Sequence, residues 1–590
     1  MASLLHEILK GCYMIVIEWL ELLQKEFKGY GGKTFIKDLL AGLTVAAVAL
    51  PLALAFGVAS NADAAAGLVT AILAGVVIAI FSGAPYQISG PTGAMAAVLI
   101  VLSNRYGMKG VWIAGILAGI MLILMGIFRL GKLISLIPAP VITGFTSGIA
   151  VIIFLGQVDN ALGIKTPSAE NTFEKLKYYF SHPLQANWTA LILVALVMVI
   201  MYFWPKLKIG KVIPGSLVAI IAATLVAVLA HLQVPSIGTI PRTILLDQRF
   251  TLAQVDFKTV GELVVPAMSI AALGAIESLL CGAVAGNMTG IRMRNSVELV
   301  AQGIGNIVIP FFGGIPATAA IARVSVNVKS GGVTRVSSII HGLALLVVVL
   351  LFAPVIEKVP MAALAGVLMM TAIRMNEWTA IQFIFSKRLK HAMLAFGITL
   401  IATVFLDLSQ AILIGFGISS LIFITQMSDL HIIRQPADRD RLNDSGHQVD
   451  ALNGNISVYY LSGPLFFAAA RKLLEAVELQ DAATNTIILS MRGVPLVDAT
   501  GIEVLREVWH RQMKGGGNLL LSAVQPRVLT LMERTGYVEE IGANRFFWSS
   551  DRAILSLGAT IQPVQYDLKR ESHDFDSVMG LPTHPDSSEA

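Results

Sequence analysis

Charge is scarce in this sequence, and so is cysteine. Only 14% of the 590 residues are Asp, Glu, Lys or Arg, where a soluble domain carries about 25%. Between Leu39 and Asn104 the sole charged side chain is Asp63. No water-soluble core hides that much apolar chain, whereas helices of about 20 residues crossing a bilayer do. A string of soluble domains is therefore excluded. Two cysteines, Cys12 and Cys281, rule out a disulfide framework and a Cys-rich metal site. No Ser-His-Asp order, metal-ligand spacing or Walker loop stands out, so neither an enzyme nor a cofactor is expected. A cleavable signal peptide is not visible either. The first 30 residues interrupt Leu4, Leu5, Ile8, Leu9, Ile15 and Trp19 with Glu7, Lys10, Glu18, Glu21 and Lys25. That pattern reads as an amphipathic segment, residues 1–35, lying on the membrane or packing on the protein.

What the sequence has is apolar chain. Hydrophobic residues make up 55% of it, and the mean hydropathy is +0.74. Apolar segments recur at 38–58, 64–82, 90–103, 110–128, 136–157, 188–204, 213–232, 262–286, 297–312, 315–328, 336–356, 361–374, 392–407 and 409–429. This is the pattern of a polytopic α-helical membrane protein with about 14 spans. With the N-terminus cytoplasmic, the inside loops carry Arg129 and Lys132, Lys206 to Lys211, Arg292 and Arg294, Lys329 and Arg335, and Lys387 to Lys390. Arg105 and Lys109 fall outside, against the trend. The even number of spans returns the C-terminus to the cytoplasm, with the plasma (inner) membrane as the expected location. The net charge of +5 reads as these basic loops rather than as a nucleic-acid surface. The transmembrane part thus spans 36–430, followed by a charged linker at 431–451. Strands and helices then alternate through 452–562, as in a small α/β domain, and a polar tail occupies 563–590.

Two of the apolar segments are short and open on glycine and proline. The third begins Ser89-Gly90-Pro91-Thr92-Gly93-Ala94, and the tenth Gly313-Gly314-Ile315-Pro316-Ala317-Thr318-Ala319. Seven spans separate them, so an odd-numbered repeat would relate the two halves by inversion. Paired, interrupted segments of this kind mark transporter binding sites. A half-helix ending within the membrane exposes its first N–H groups and the positive end of its dipole. Two such ends make an anion site without a full cation. Thr92 and Thr318 can add hydroxyl donors, and Gly93, Ala94, Ala317 and Ala319 let an anion approach the backbone.

Glu277 lies in the middle of the eighth segment, where a carboxylate costs several kcal/mol unless protonated, paired or hydrated. It is the candidate coupling residue. Arg323, near the tenth segment's far end, either raises the potential at the anion site or snorkels to the interface. Glu298, Gln302 and Asn306 share one face of the ninth segment and are expected to bond between helices. His341 and Asp407 are expected at the membrane interface.

The stretches AGLTVAAVALPLALAFGVAS (41–60), ISGPTGAMAAVL (88–99), LIPAPVITGFTSGIAV (136–151), ALGAIESLLCGAVAGNMTG (272–290) and AQGIGNIVIPFFGGIPATAAIARVSVNVKSGG (301–332) resemble the SulP anion transporters, the group that includes prestin and pendrin. The C-terminal domain resembles STAS. The resemblance implies two inverted seven-span repeats, core and gate domains, a homodimer and elevator-like motion. It implies an anion between the starts of spans three and ten, with Phe56 and Glu277 nearby. Leu52 stands where many members have glutamine. The span-one sequence is similar to the bicarbonate branch, whose sodium ligands correspond to Glu277, Cys281 and Ile321 here; two hydroxyl ligands are thus missing. The GAIESLLC stretch is more similar to the C4-dicarboxylate branch, in which a glutamate suits proton coupling. In the STAS domain, Asp498 and Thr500 fall on the antagonists' phosphorylation loop, with Ala499 replacing one hydroxyl; a plain helix cap is the competing reading.

The sequence therefore points to secondary active transport of a small anion (sulfate, C4-dicarboxylate or bicarbonate) coupled to protons. The alternatives are sodium-coupled bicarbonate symport, an uncoupled anion channel or exchanger, and a membrane signalling protein read through STAS. Membrane lipid and a cytoplasmic partner of the STAS domain are the other expected contacts.

Overall fold

A computed structural model describes residues 2–131, 138–164, 166, 172–181, 186–207, 213–254, 257–406, 408–438, 442, 455–478 and 484–557. The chain divides into two units, Met1–Ser419 and Ser420–Ala590. Asp407, much of the linker and the tail at 563–590 lie outside the described residues.

The first unit is helical. An N-terminal helix α1 (Ala2–Glu26) precedes span one (Gly32–Ala59). Every one of the fourteen apolar segments carries helix. Among the described residues, seven helices are long and apolar enough to cross a membrane, and shorter apolar helices include Gly215–Leu229, Met361–Met375 and Lys390–Phe405. Spans three and four run on as Gly93–Ile127, broken only at Gly107, whose φ of 67° interrupts the helix. Span two widens to a π-helical turn at Ala74–Ile78. Two helices outside the expected spans, Thr172–Ser181 and Trp378–Ser386, occupy connections.

Spans one to four and eight to eleven pack together as one group; five, six, seven, twelve and thirteen pack as another. Within a bilayer, helices gain little from apolar burial and rely on close backbone approach. Glycine supplies it here. A β-carbon at Gly57 would lie 3.0 Å from the Gly67 nitrogen, between spans one and two. One at Gly119 would lie 2.7 Å from the Gly303 carbonyl, between spans four and nine. Large apolar side chains such as Ile192, Leu225, Leu351 and Val355 are left exposed on the outer surface, as lipid-facing helices require.

The breaks before spans three and ten meet. Strand β1 (Ser89–Gly90) pairs antiparallel with β2 (Thr318–Ala319), with Ser89 opposite Ala319 and Gly90 opposite Thr318. This crossing is what the inverted repeat predicts, because corresponding segments run in opposite directions.

The second unit carries a five-stranded sheet: β3 (His431–Pro436), β4 (Asn455–Ser462), β5 (Thr484–Gly493), β6 (Asn518–Ser522) and β7 (Phe546–Phe547), in that spatial order. The first pair is antiparallel and the rest are parallel. Ile487 and Leu489 face the core beneath Ala499–Lys514, while Ile488 faces the opposite core with Ala553 and Ile554. That alternation follows the two-residue period of a strand. One expectation needs correction. Residues 431–436 belong to the sheet, not to the linker: Ile432 packs into the core, and the whole segment pairs with β4. Its charged flanks hid a strand whose sole inward apolar residue, Ile432, is half-buried.

Candidate functional site

The half-helix of span three begins at Gly93, capped by Thr92, whose hydroxyl accepts from the Met95 N–H at 3.3 Å. Helix geometry leaves the N–H groups of Gly93 and Ala94 without intrahelical partners. The same Thr92 hydroxyl donates to Glu277 Oε2 at 2.9 Å. Glu277 is half-buried, whereas Pro91, Thr92, Gly93 and Ala94 are all buried. The Phe56 ring closes over this start: a β-carbon at Gly93 would lie 3.2 Å from Phe56 Cε1 and 2.6 Å from Ile153 Cδ1.

The half-helix of span ten is Ile321–Lys329, capped by Ala320. It starts later than the sequence suggests. Pro316 and Ala317 lie in non-helical chain before it, and Thr318 and Ala319 form β2. The Thr318 hydroxyl is used within the protein: it donates to the Gly274 carbonyl at 3.1 Å and pairs with Ser278 Oγ at 2.9 Å. Ile321 and Ala322, rather than the Gly-Pro segment, form the exposed start of this helix.

Arg323 does not snorkel. It is 1% exposed and donates from Nη2 to the Pro91 carbonyl, directly before the span-three cap. Its Nε and Nη1 have no partner among the described residues. Nη1 occupies the space that a side chain on Gly90 would fill, which is why glycine stands there. A buried unpaired donor costs about 1–3 kcal/mol, more when charged, so the guanidinium is under-satisfied where it sits. Glu277 and Arg323 come together with Thr92, Pro91 and Phe56; Thr318 joins the scaffold behind them.

That scaffold is a lattice of buried amides and hydroxyls. Asn306 reads both sides of Ala317, donating to its carbonyl at 2.9 Å and accepting its N–H at 2.8 Å. Gln302 donates to Ser89 Oγ and to Glu298 Oε1, each at 2.7 Å. Glu298 accepts from Ser82 Oγ at 2.7 Å and from the Gly83 N–H at 2.9 Å. The ninth span therefore bonds chiefly to the chain breaks, not simply to other helices. Thr70 was not singled out in the sequence; it accepts the Ile315 N–H at 2.7 Å. Its only signal was a hydroxyl in an otherwise apolar helix. His341 also departs from expectation: it is fully buried, not interfacial, because Gly75 leaves room for its ring.

Residues 35–396 match the model of the sulfate permease family. The chain belongs to that family. Residues 450–553 match the STAS domain. This sulfate permease family member is 36% identical over 535 residues to YvdB of Bacillus subtilis, covering 88% of this chain and 97% of that one. It is 32% identical over 457 residues to the bicarbonate transporter BicA of a Picosynechococcus strain, covering 74% and 79%. Its fold matches the murine Slc26a9 anion transporter with a TM-score of 0.77, at 18% identity and over 90% of this chain and 92% of that one. The chain is accordingly a multi-pass anion transporter with a C-terminal STAS domain. In that domain Asp498 caps Ala499–Lys514, accepting the Gly501 N–H at 2.8 Å, and its other oxygen accepts the Phe467 N–H at 3.1 Å. Thr500 is exposed in the first turn.

Proposed function

We propose that this family member imports a small oxyanion or carboxylate, of the sulfate, C4-dicarboxylate or bicarbonate class, together with protons that Glu277 carries. The observation that carries the reading is the relay Met95 N–H to Thr92 to Glu277. One hydroxyl both caps the anion-binding half-helix and bonds to the membrane carboxyl. Protonating Glu277 removes a negative charge from the site and frees field from the two helix starts and Arg323 for an incoming anion. Releasing the proton restores the carboxylate, which competes with the anion. The two charges thus move together, which lowers the electrical work of about 2.3 kcal/mol per charge per 100 mV.

The substrate-binding set is Phe56, Gly90, Pro91, Thr92, Gly93 and Ala94 from one side, and Pro316, Ala317, Thr318, Ala319 and Arg323 from the other. Backbone donors and Arg323 would meet the anion, while Thr318 and Ala317 would shape the chain that presents them. The eight-span group is read as an elevator-like core moving against the remaining spans. A homodimer in the plasma (inner) membrane with both termini cytoplasmic fits this reading, with the segment before residue 36 outside the transport body. An exposed Thr500 at a helix start suits regulation by phosphorylation or by a cytoplasmic partner, because a phosphate there meets the helix dipole.

Sodium-coupled bicarbonate transport is the second reading, favoured by the likeness to BicA. Cys281 and Ile321 speak against it, since a hard cation wants oxygen ligands. The deciding experiment is uptake of labelled sulfate, bicarbonate, succinate and fumarate into proteoliposomes under an imposed pH gradient, then under a sodium gradient. Accumulation driven by pH and abolished by Glu277→Gln is expected. Undiminished accumulation by that variant would refute the coupling role, and accumulation driven by sodium alone would favour the second reading.

A further inference from the structure

Helix α1 presents three distinct faces, about 120° apart at 3.6 residues per turn. The first packs on protein. Ile15 is buried, the Trp19 indole N–H donates to the Ile80 carbonyl at 3.1 Å, and Gly11 lies against Ile127. Glu18 pairs with Arg129 at 3.2 Å and Glu21 with Arg294 at 3.7 Å. Glu26 holds Arg335 at 2.8 Å, with both side chains under 5% exposed, and also accepts the Arg335 N–H. Each of these partners ends or links spans two, four, eight, nine, ten or eleven, all in the eight-span group.

The second face is apolar and uncovered. Leu9, Tyr13, Val16 and Leu20, spaced along one stripe, are 62, 68, 52 and 46% exposed. Phe35, Ile36, Leu40 and Leu43 of span one, which follows directly, are exposed as well. The third face carries Lys10 and Lys25 to water, and the half-exposed Glu21 lies on its border with the first. Beyond α1, Lys28, Lys33 and Lys37 are exposed around the entry to span one.

We propose that α1 is a membrane-docking strap: its apolar stripe lies in the anionic leaflet at the face where span one begins, and its other side is fixed to the eight-span group. Two features select lipid as the occupant. The helix leads directly into span one, which exposes apolar side chains of its own, and the neighbouring lysines complement anionic headgroups. Apolar residues on one face with charges on another are the mark of an interfacial helix. The assignment holds whichever anion or coupling ion is transported. Its consequence is that headgroup composition acts directly on that group of spans.

The test is nitroxide accessibility in the full-length transporter, reconstituted in phosphatidylcholine–phosphatidylglycerol vesicles. Single labels replace Leu9, Tyr13, Val16, Leu20, Lys10 or Glu21 on a Cys12→Ser background; Cys281 is buried. Native Cys12, exposed at the margin of the stripe, carries a label in the unaltered chain, so misfolding of one variant leaves the test intact. Oxygen should relax the labels at 9, 13, 16 and 20, and a nickel chelate those at 10 and 21. Nickel dominance at 13 and 16 would place the stripe in water and overturn the proposal. Immobilised labels reached by neither reagent, or broadened by a second label, would put protein or a second copy on the stripe and also overturn it. In phosphatidylcholine alone the depth at 13 and 16 should decrease; an unchanged depth would overturn the role given to the lysines.

Discussion

Thr92 does two things with one hydroxyl, and substitution tests both at once. Thr92→Val removes both the cap on Met95 and the donor to Glu277; losing a cap costs about 0.5–2 kcal/mol. Uptake should fall at least tenfold, and Thr92→Ser should restore most of it, because serine keeps the oxygen. Wild-type uptake by Thr92→Val would remove Thr92 from the relay. At Gly90 the constraint is steric. A methyl group there meets the Arg323 guanidinium and would displace it from the Pro91 carbonyl. Gly90→Ala should abolish transport while the protein still elutes as a folded species on size exclusion.

At the scale of elements, the chain breaks hold their shape because neighbouring helices lend them hydrogen bonds. Asn306→Ala would leave the N–H and carbonyl of Ala317 unpaired in a dry interior, at about 1–3 kcal/mol for each group. A lower melting temperature in detergent and loss of uptake are expected. Asn306→Asp keeps only the acceptor and should fall between the two. The strap of α1 offers a comparison of ion pairs. Glu26 and Arg335 are 2 and 4% exposed, whereas Glu18 and Arg129 are 22 and 49% exposed. Breaking a buried pair costs about 3–5 kcal/mol, and breaking an exposed one about 0–1 kcal/mol. Glu26→Ala should therefore lower the melting temperature clearly and Glu18→Ala scarcely at all; equal effects would contradict the burial.

The whole molecule divides into two units with separate cores. Residues 429–557 should express as a soluble domain that unfolds in one cooperative transition followed by circular dichroism. Aggregation of that fragment, rescued only by the full chain, would mean that the sheet depends on the membrane unit. The same fragment begun at residue 452 lacks β3, which pairs along its length with β4, and should be less stable.

Much of this was legible in the residues. Runs free of charge mark spans because the bilayer penalises every ionised group, and the half-helices announce themselves through glycine and proline, which few spans tolerate together. The sequence by itself determined the membrane class, the span positions, the paired breaks and the isolated carboxyl at Glu277. Only the tertiary structure decided that the Thr318 hydroxyl bonds to Gly274 and Ser278, that Arg323 turns inward to Pro91, and that His341 is buried. Periodicity reports which side of one helix is apolar. It carries no information on which of several neighbours a polar side chain will reach, because that depends on how helices distant in sequence cross.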